Sequence, residues 1–397
     1  MPNLFTKTAY VKGLQSPKLL WEYMNNRESI PDHDEATLDR FNQGAQVEQH
    51  AHELFDGVDL SSLDFGDNLN KTDLVIDSKK TVFEPGFMTG RLYARSDVLE
   101  PVEDGWCLYE IKMSTKPKEY HLHDLSFQKH VLERNGLTIS QVKLILIDRS
   151  YVRDGEIEPE KLLHIEDVTE DVVDAQKGIS KRISEMQSVI QKISPPDFDK
   201  HNLKEYYHDN HLKDEFETSL DQDSVYHLYY GGDKVYELWS EGIEKISSVD
   251  EKRLSKKQRI QKKAIQDKPY RDEEKINAFL EQIEKPISYV DFEAFNNAVP
   301  LFDNSQPYEQ VPFQYSLHIE NDSVKHTAFL YEGDDDPRPA FLESLLEDLP
   351  DEGSIIVWYD SFEKNVLDAV AELTGKQEEV EEIKQRIIDL RTIFKNF

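Results

Sequence analysis

Three ionisable side chains between residues 97 and 112 have the types and spacing needed for phosphodiester hydrolysis. Asp97 precedes Glu110 by thirteen residues, and Lys112 follows Glu110 by two positions within the apolar run Trp106 to Met113. Residues two apart on a strand share a face, so Glu110 and Lys112 project together. If the strand carrying Asp97 is a neighbour, two hard oxygen ligands for Mg²⁺ and one cation converge.

A second pair of carboxylates lies near the C-terminus. The apolar run Ile287 to Val290 leads into Asp291 and Glu293, which share one strand face. Such a pair can hold two divalent ions about 4 Å apart for in-line phosphoryl displacement. Zinc is a weaker alternative for the chain, because the histidines near the first set lack ligand spacing with a third partner: His50, His52, His121, His123 and His130.

Hydrophobic periodicity predicts the elements that must position these groups. Short apolar runs between Thr72 and Ile147 predict strands, and a helix from Asp124 to Arg134 interrupts them. The runs are Leu74 to Ile76, Thr81 to Phe83, Arg91 to Leu99, Trp106 to Met113 and Val142 to Ile147. Apolar residues between Val172 and Ile193 predict one long amphipathic helix, and after Pro286 a second α/β pattern begins.

Length and composition favour two folded domains in a reducing compartment. The chain has 397 residues, 38% of them hydrophobic, and its one cysteine, Cys107, excludes intramolecular disulfides. No apolar run is long enough for a signal peptide or a bilayer span, so we expect a cytoplasmic protein without a membrane partner. The net charge of −32 argues against non-specific coating of nucleic acid, which requires Lys and Arg to neutralise phosphates.

One basic cluster stands out in this acidic chain. It can be interpreted as a helix that follows a phosphate backbone or as a solvated linker helix. Its members are Lys252, Arg253, Lys256, Lys257, Arg259, Lys262, Lys263 and Lys268.

The first set of residues occurs in a longer run that resembles a known nuclease core. Asp97, the segment Leu108 to Lys116, the segment Asp124 to Gln128 and the strand ending at Ile147 to Tyr151 are similar to the RecB-like PD-(D/E)xK domain. The resemblance implies that Asp97 and Glu110 bind the metal and that the Ile111 carbonyl is a further ligand. It also implies that Lys112 assists catalysis, that Gln128 helps to hold the site, and that Glu48 on an earlier helix binds metal.

Two departures from that pattern affect the interpretation. Ser96 replaces the motif's proline, which does not alter the chemistry because the Asp binds the metal. Relatives often carry an iron–sulfur cluster, but here Ser16 stands where their first cysteine would be and no cysteine follows Pro196. We therefore expect no iron–sulfur cluster.

The C-terminal part resembles a DnaQ-like exonuclease of the RNase H-like class. Asp291 and Glu293 are similar to its first motif, and Ile355 to Glu363 is similar to the second, with Glu363 as the next acid and Asp360 where Asn is usual. Asp389 resembles a downstream Asp-Leu segment rather than the last ligand. We expect this domain to be truncated and at best weakly active.

The resulting prediction is an α/β protein of two catalytic domains. Residues 1–195 form the PD-(D/E)xK domain, 196–284 a connecting region with the basic helix, and 285–397 an incomplete RNase H-like exonuclease domain. A Mg²⁺- or Mn²⁺-dependent nuclease, acting on DNA rather than RNA in processing, repair or defence, is the expected function. The alternatives are a degenerate binding or scaffold protein and a hydrolase of small phosphoesters, which would have a closed pocket. No protein partner is predicted.

Overall fold

The computed structural model describes residues 4–197, 211–266 and 269–395. Lys268 of the basic cluster lies outside these ranges. The chain forms two compact units, the first comprising Met1–Tyr151 and Ile157–Ile246, the second Val152–Glu156 and Ser247–Phe397. Each unit mixes helices with strands, which confirms the α/β class at this level.

Unit 1 is built around a six-stranded mixed sheet with a smaller three-stranded sheet. The larger sheet has the order β2-β3-β6-β7-β8-β9 and the smaller one β1-β5-β4. Strand β7 pairs antiparallel with β6 and parallel with β8, so it is central. The strands are β1 Phe5–Thr6, β2 Gly57–Asp59, β3 Thr81–Phe83, β4 Gly86–Thr89, β5 Leu92–Arg95, β6 Val98–Val102, β7 Gly105–Lys112, β8 Ile139–Ile147 and β9 Leu163–Asp167.

Helices cover this sheet, and α5 is the one that matters for the site. Leu125, Phe127, Val131 and Leu132 of α5 are fully buried in the core of unit 1, with Leu108 and Leu144 of the central strands. The helices are α1 Lys7–Gln15, α2 Pro17–Asn25, α3 Glu35–His52, α4 Phe65–Asp77, α5 Glu119–Arg134, α6 Pro159–Leu162, α7 Thr169–Gln176, α8 Ile179–Ile190, α9 His211–Thr218 and α10 Asp233–Ser240.

Three of the predicted elements of unit 1 are wrong. The run Arg91 to Leu99 is not one strand, because β5 ends at Arg95 and β6 begins at Val98 in the other sheet. Leu74 to Ile76 is the last part of helix α4, which begins where the Asp64 side chain accepts hydrogen bonds from the amides of Gly66 and Asp67. The predicted helix from Val172 to Ile193 is two helices, because Gly178 adopts φ +73° and ends the first one.

Unit 2 contains a five-stranded sheet of order β12-β11-β10-β13-β14. Strand β10 pairs antiparallel with β11 and parallel with β13, and β13 pairs parallel with β14. The strands are β10 Ile287–Phe295, β11 Val311–Glu320, β12 Val324–Leu330, β13 Ile355–Val357 and β14 Ile387–Asp389. The helices are α11 Lys256–Gln266, α12 Glu273–Leu280, α13 Arg338–Asp348, α14 Asp360–Thr374, α15 Gln377–Arg386 and α16 Thr392–Lys395.

The core of unit 2 lies between this sheet and helices α13 and α14. Alternate residues of β10, namely Ser288, Val290 and Phe292, are buried, whereas Asp291 and Glu293 are exposed. No helix in the described ranges is both long and apolar enough to cross a membrane.

Candidate functional site

Strands β6 and β7 bring Asp97 and Glu110 together. Asp97 lies in the short link between β5 and β6, directly before Val98, which pairs with Tyr109. That register places Asp97 beside Glu110 on the neighbouring strand. The Asp97 Oδ2 atom accepts a hydrogen bond from the Ile111 amide at 2.7 Å, which fixes the carboxylate against β7.

Glu110 is the most buried charge of the cluster, and cationic and amide donors satisfy it. Its side chain is 1% exposed, and Oε1 accepts hydrogen bonds from Lys112 Nζ at 2.5 Å and from Lys7 Nζ at 2.8 Å. Gln128 Nε2 donates to the other oxygen, Oε2, at 2.6 Å. Burial alone would raise the pKa of Glu110, but the Lys112 and Lys7 ammonium groups outweigh it and hold the pKa well below its usual range.

The pKa of Asp97 shifts in the opposite direction to that of Glu110. Burial and the negative charge of Glu110 raise the pKa of Asp97 to about 6, although Lys7 at 3.5 Å works against that rise. Two adjacent carboxylates whose pKa values are driven apart are a feature typical of functional sites.

Helix α5 contributes the third side of the cluster. Asp124 and Gln128 are one helical turn apart and face the same way. Gln128 Nε2 bridges the Asp124 Oδ1 atom at 3.0 Å and Glu110, and Lys112 Nζ donates to Asp124 Oδ2 at 3.2 Å. Burial opposes the charge on Lys112, but Glu110 and Asp124 prevail and raise the pKa of its ammonium group.

Four charged residues of this region were missed from sequence. Lys7 and Asp124 contact the predicted residues directly, whereas Glu84 and Arg95 form a neighbouring ion pair at 2.6 Å. Burial and the charge of Asp97 raise the pKa of Glu84 to about 8 despite Arg95. Asp124 could have been found from its four-residue spacing to Gln128, but Lys7 lies 103 residues from Glu110 and carries no local signal.

Glu48 is the predicted ligand for which the structure gives no direct contact with Asp97 or Glu110. It lies on α3 with a half-exposed side chain, 3.8 Å from His52 Nε2, and its charge contributes to the raised pKa of Glu84. The structure thus brings together Asp97, Glu110, Lys112, Gln128 and the Ile111 amide, whereas the contact of Glu48 is with His52. The Ile111 carbonyl stays a predicted ligand.

The donor set of unit 1 suits a hard divalent cation. The Lys7 ammonium already lies against both Asp97 and Glu110, so the two carboxylates present their oxygens to one cation. Within residues 4–197, 211–266 and 269–395, however, no three His, Cys, Asp or Glu side chains gather closely enough to hold a metal by themselves. A bound ion would therefore need main-chain oxygen or water to complete its shell.

The first turn of α14 in unit 2 carries two acids, Asp360 and Glu363. Asp291 and Glu293 are exposed on β10, whereas Glu363 is 4% exposed and its Oε2 atom has no hydrogen-bond partner. Burial raises the pKa of Glu363, and the charges of Asp291, Asp360 and Asp389 raise it further. Three aspartates therefore act on one buried acid, which has no ion-pair partner among the residues that the structure describes.

Asp389 acts on this cluster electrostatically, although the sequence resemblance did not assign it as a ligand. It ends β14, is 8% exposed, and accepts hydrogen bonds from the amides of Tyr359 at 3.0 Å and Arg391 at 2.9 Å. Tyr359 adopts φ +96°, a strained conformation for a non-glycine residue that often occurs near functional sites. A cavity of about 500 Å³ lies beside Asp360 and Asp389.

Comparisons with known proteins name only part of this chain. None of the curated proteins matches it. The solved structure "Crystal structure of SSO0001" is 12% identical, with a TM-score of 0.20, over 50% of this chain and 82% of that chain. Residues 288–397, which carry the carboxylates of unit 2, match the family described as Domain of unknown function (DUF2779).

Proposed function

We propose that this protein is a metal-dependent nuclease whose working site is the cluster of unit 1. The observation that carries the proposal is the convergence of Asp97, Glu110 and Lys112 on one buried point, with Gln128 bound to Glu110. This is the set of groups that phosphodiester hydrolysis requires. We assign unit 1 to the PD-(D/E)xK class, a finer assignment that rests on the motif resemblance together with this geometry.

Asp97 and Glu110 would hold a Mg²⁺ or Mn²⁺ ion, with the Ile111 carbonyl as a further ligand. When bound, such an ion supplies Lewis acidity and lowers the pKa of a coordinated water toward neutrality. The residues of the chain prepare this chemistry. The Ile111 amide orients Asp97, and Gln128 orients Glu110 through the oxygen that the lysines leave open. Lys112 would supply positive charge to stabilise the negative charge that develops on an attacked phosphate.

The substrate we propose is nucleic acid, with DNA preferred to RNA. The basic helix α11 supports a polyanionic partner, because Lys256, Arg259 and Lys263 are exposed and line a cavity of about 1000 Å³ together with Lys262 and Arg271. Lys262 also donates to the Val249 carbonyl at 2.7 Å, which ties this helix to unit 2. The single cysteine supports a reducing, cytoplasmic location.

For unit 2 we propose an RNase H-like exonuclease domain that is incomplete as a catalyst. Asp291, Glu293 and Glu363 are the residues that we assign to a second metal site. The unbalanced acid Glu363 supports a cation there, because a divalent ion would neutralise the repulsion that it now experiences from three aspartates.

A non-catalytic binding protein is the second candidate. Its support is the lack, within the described ranges, of a three-residue group ready to hold a metal. In that case the carboxylates would be remnants of a nuclease site, and the basic helix would be the functional surface.

Degradation of end-labelled DNA in the presence of Mn²⁺ tests the proposal. Single- and double-stranded DNA and matched RNA are incubated with the parent protein, Glu110→Gln, Asp291→Asn and the control Glu119→Gln, which changes an exposed acid of α5. We expect cleavage of DNA by the parent and the control, and a loss of at least 100-fold in Glu110→Gln, the scale seen for removing a key electrostatic group.

The two substitutions separate the sites. A parent that cleaves neither DNA nor RNA under several metals, yet binds them, would refute the nuclease proposal and favour the binding protein. Loss of cleavage in Asp291→Asn but not in Glu110→Gln would move the activity to unit 2.

A further inference from the structure

Lys7 occupies a position that local helix chemistry disfavours. It is the first residue of α1, where the helix dipole repels positive charge, and this first turn contains no acidic residue. Its ammonium is compensated instead by Glu110 at 2.8 Å and Asp97 at 3.5 Å. The location of Lys7 is therefore explained by the carboxylate cluster and not by the helix that carries it.

The backbone around Lys7 is held firmly in this place. Strand β1 pairs with β5, the Phe5 amide donates to the Arg91 carbonyl at 2.8 Å, and the Thr6 side chain caps α1 by accepting from the Ala9 amide. One turn further on, the buried Tyr10 ring stacks on Phe127 of α5 at 5.3 Å. The Lys7 side chain is 27% exposed, so it has access to solvent although its backbone is fixed.

Lys7 also differs from Lys112 in what it contacts. Lys112 binds Glu110 and Asp124, so it retains a carboxylate partner if Glu110 turns to another cation. Lys7 instead lies against Asp97 and Glu110 together, the two acids assigned to the metal. A divalent ion bound to both acids would repel the Lys7 ammonium that lies against the same two groups, and this repulsion is several-fold larger in a buried site than in water.

We infer that Lys7 is a built-in competitor of the metal, a resident cation that must leave Asp97 and Glu110 before Mg²⁺ or Mn²⁺ binds and that thereby weakens metal affinity. This inference rests on the proposed metal site of unit 1. It assigns Lys7 the role of a residue that sets how much free metal the site requires. Because the coupling is reciprocal, metal binding releases the Lys7 side chain to solvent.

Equilibrium Mn²⁺ binding, measured by the electron paramagnetic resonance signal of free Mn²⁺ without nucleic acid, tests the inference. The full chain is compared with Lys7→Met, Lys7→Gln and the control Lys12→Met, which removes an amine of the same helix that lies over the Tyr23 ring. To isolate unit 1, all proteins carry Asp291→Asn. We expect Lys7→Met and Lys7→Gln to bind Mn²⁺ about tenfold more tightly, within the usual range of such couplings, and Lys12→Met to match the parent.

Glu110→Gln in the same background separates the two claims. If Glu110→Gln does not weaken Mn²⁺ binding, the metal site itself is wrong. If Glu110→Gln abolishes binding but neither Lys7 variant binds more tightly, the competition is refuted while the metal site stands. Should both Lys7 variants unfold without metal, recovery of the fold on Mn²⁺ titration would support the inference, and failure to recover at any Mn²⁺ concentration would overturn it.

Discussion

Gln128→Leu should destabilise unit 1 more than its size alone would indicate. The Gln128 side chain is fully buried, and its Nε2 atom donates to Glu110 Oε2 at 2.6 Å and to Asp124 Oδ1 at 3.0 Å. Leucine fills a similar volume but donates nothing. The substitution would leave a buried carboxylate oxygen of Glu110 without its donor.

The expected loss of stability follows from the hydrogen bonds of the Gln128 Nε2 atom and from the lack of a partner for its Oε1 atom. A hydrogen bond to a charged group contributes about 1.5–3 kcal/mol, so two of them contribute roughly 3–6 kcal/mol. Against this, the Gln128 Oε1 atom is buried without a partner, and removing it recovers about 1–3 kcal/mol. Taking the middle of each range, we expect a net loss of about 2.5 kcal/mol in the free energy of unfolding of unit 1.

Hydrogen exchange of the β7 amides across a urea series measures this quantity for unit 1 separately from unit 2. The matched control is Gln46→Leu, because Gln46 is an exposed residue of helix α3. The control should lose no more than about 0.5 kcal/mol, as surface changes do. A loss below about 1 kcal/mol in Gln128→Leu would show that Glu110 does not depend on this amide, and the account of the cluster would fail.

Two further predictions concern single titratable groups. Burial, with the charges of Lys112 and Lys118, lowers the pKa of His121 from 6.5 to about 4. The unfolded chain therefore binds the proton more readily, so the stability contributed by neutral His121 is complete above pH 6.5 and lost as the pH falls through about 4. Urea midpoints between pH 4 and 7 should fall less steeply in His121→Asn, and equal slopes would contradict this. In unit 2, Glu363→Gln removes a charge that three aspartates repel, so it should raise the melting temperature in chelator, whereas the exposed control Glu372→Gln should not; a lower melting temperature for Glu363→Gln would show that the charge is already balanced.

The catalytic candidates of unit 1 were predictable because they depend on strand periodicity. Glu110 and Lys112 share a face for the same reason that any residues two apart do, and the neighbouring strand supplies Asp97 through an antiparallel register. Their partners were not predictable in the same way. Lys7 reaches the cluster through the parallel pairing of β1 with β5, a contact between segments more than 80 residues apart that leaves no pattern in either.

The errors in the fold arose where a short apolar run has two interpretations. Leu74, Val75 and Ile76 form an apolar triplet that is compatible with a strand, yet only Val75 is fully buried and Leu74 is 65% exposed on helix α4. The capping residue Asp64 lies ten positions before the triplet, and it marks the start of the helix that contains the triplet. Likewise, the apolar spacing between Val172 and Ile193 continues across Gly178. The helix does not, because Gly178 adopts φ +73°.

The buried charges of unit 1 are not explained by stability alone. Taking Glu110, Asp124 and two lysines out of water costs several kcal/mol per ion, and apolar residues of similar volume often serve a fold equally well or better. The cluster is also more elaborate than an isolated ion pair, since Glu110 has three donors, and Asp97 is anchored by a main-chain amide instead of by a cation alone. An arrangement that keeps two carboxylates oriented while their pKa values diverge is costly for the fold, and it is suited to exchanging one cation for another. That is the property that a metal-dependent hydrolase needs and a purely structural charge cluster does not.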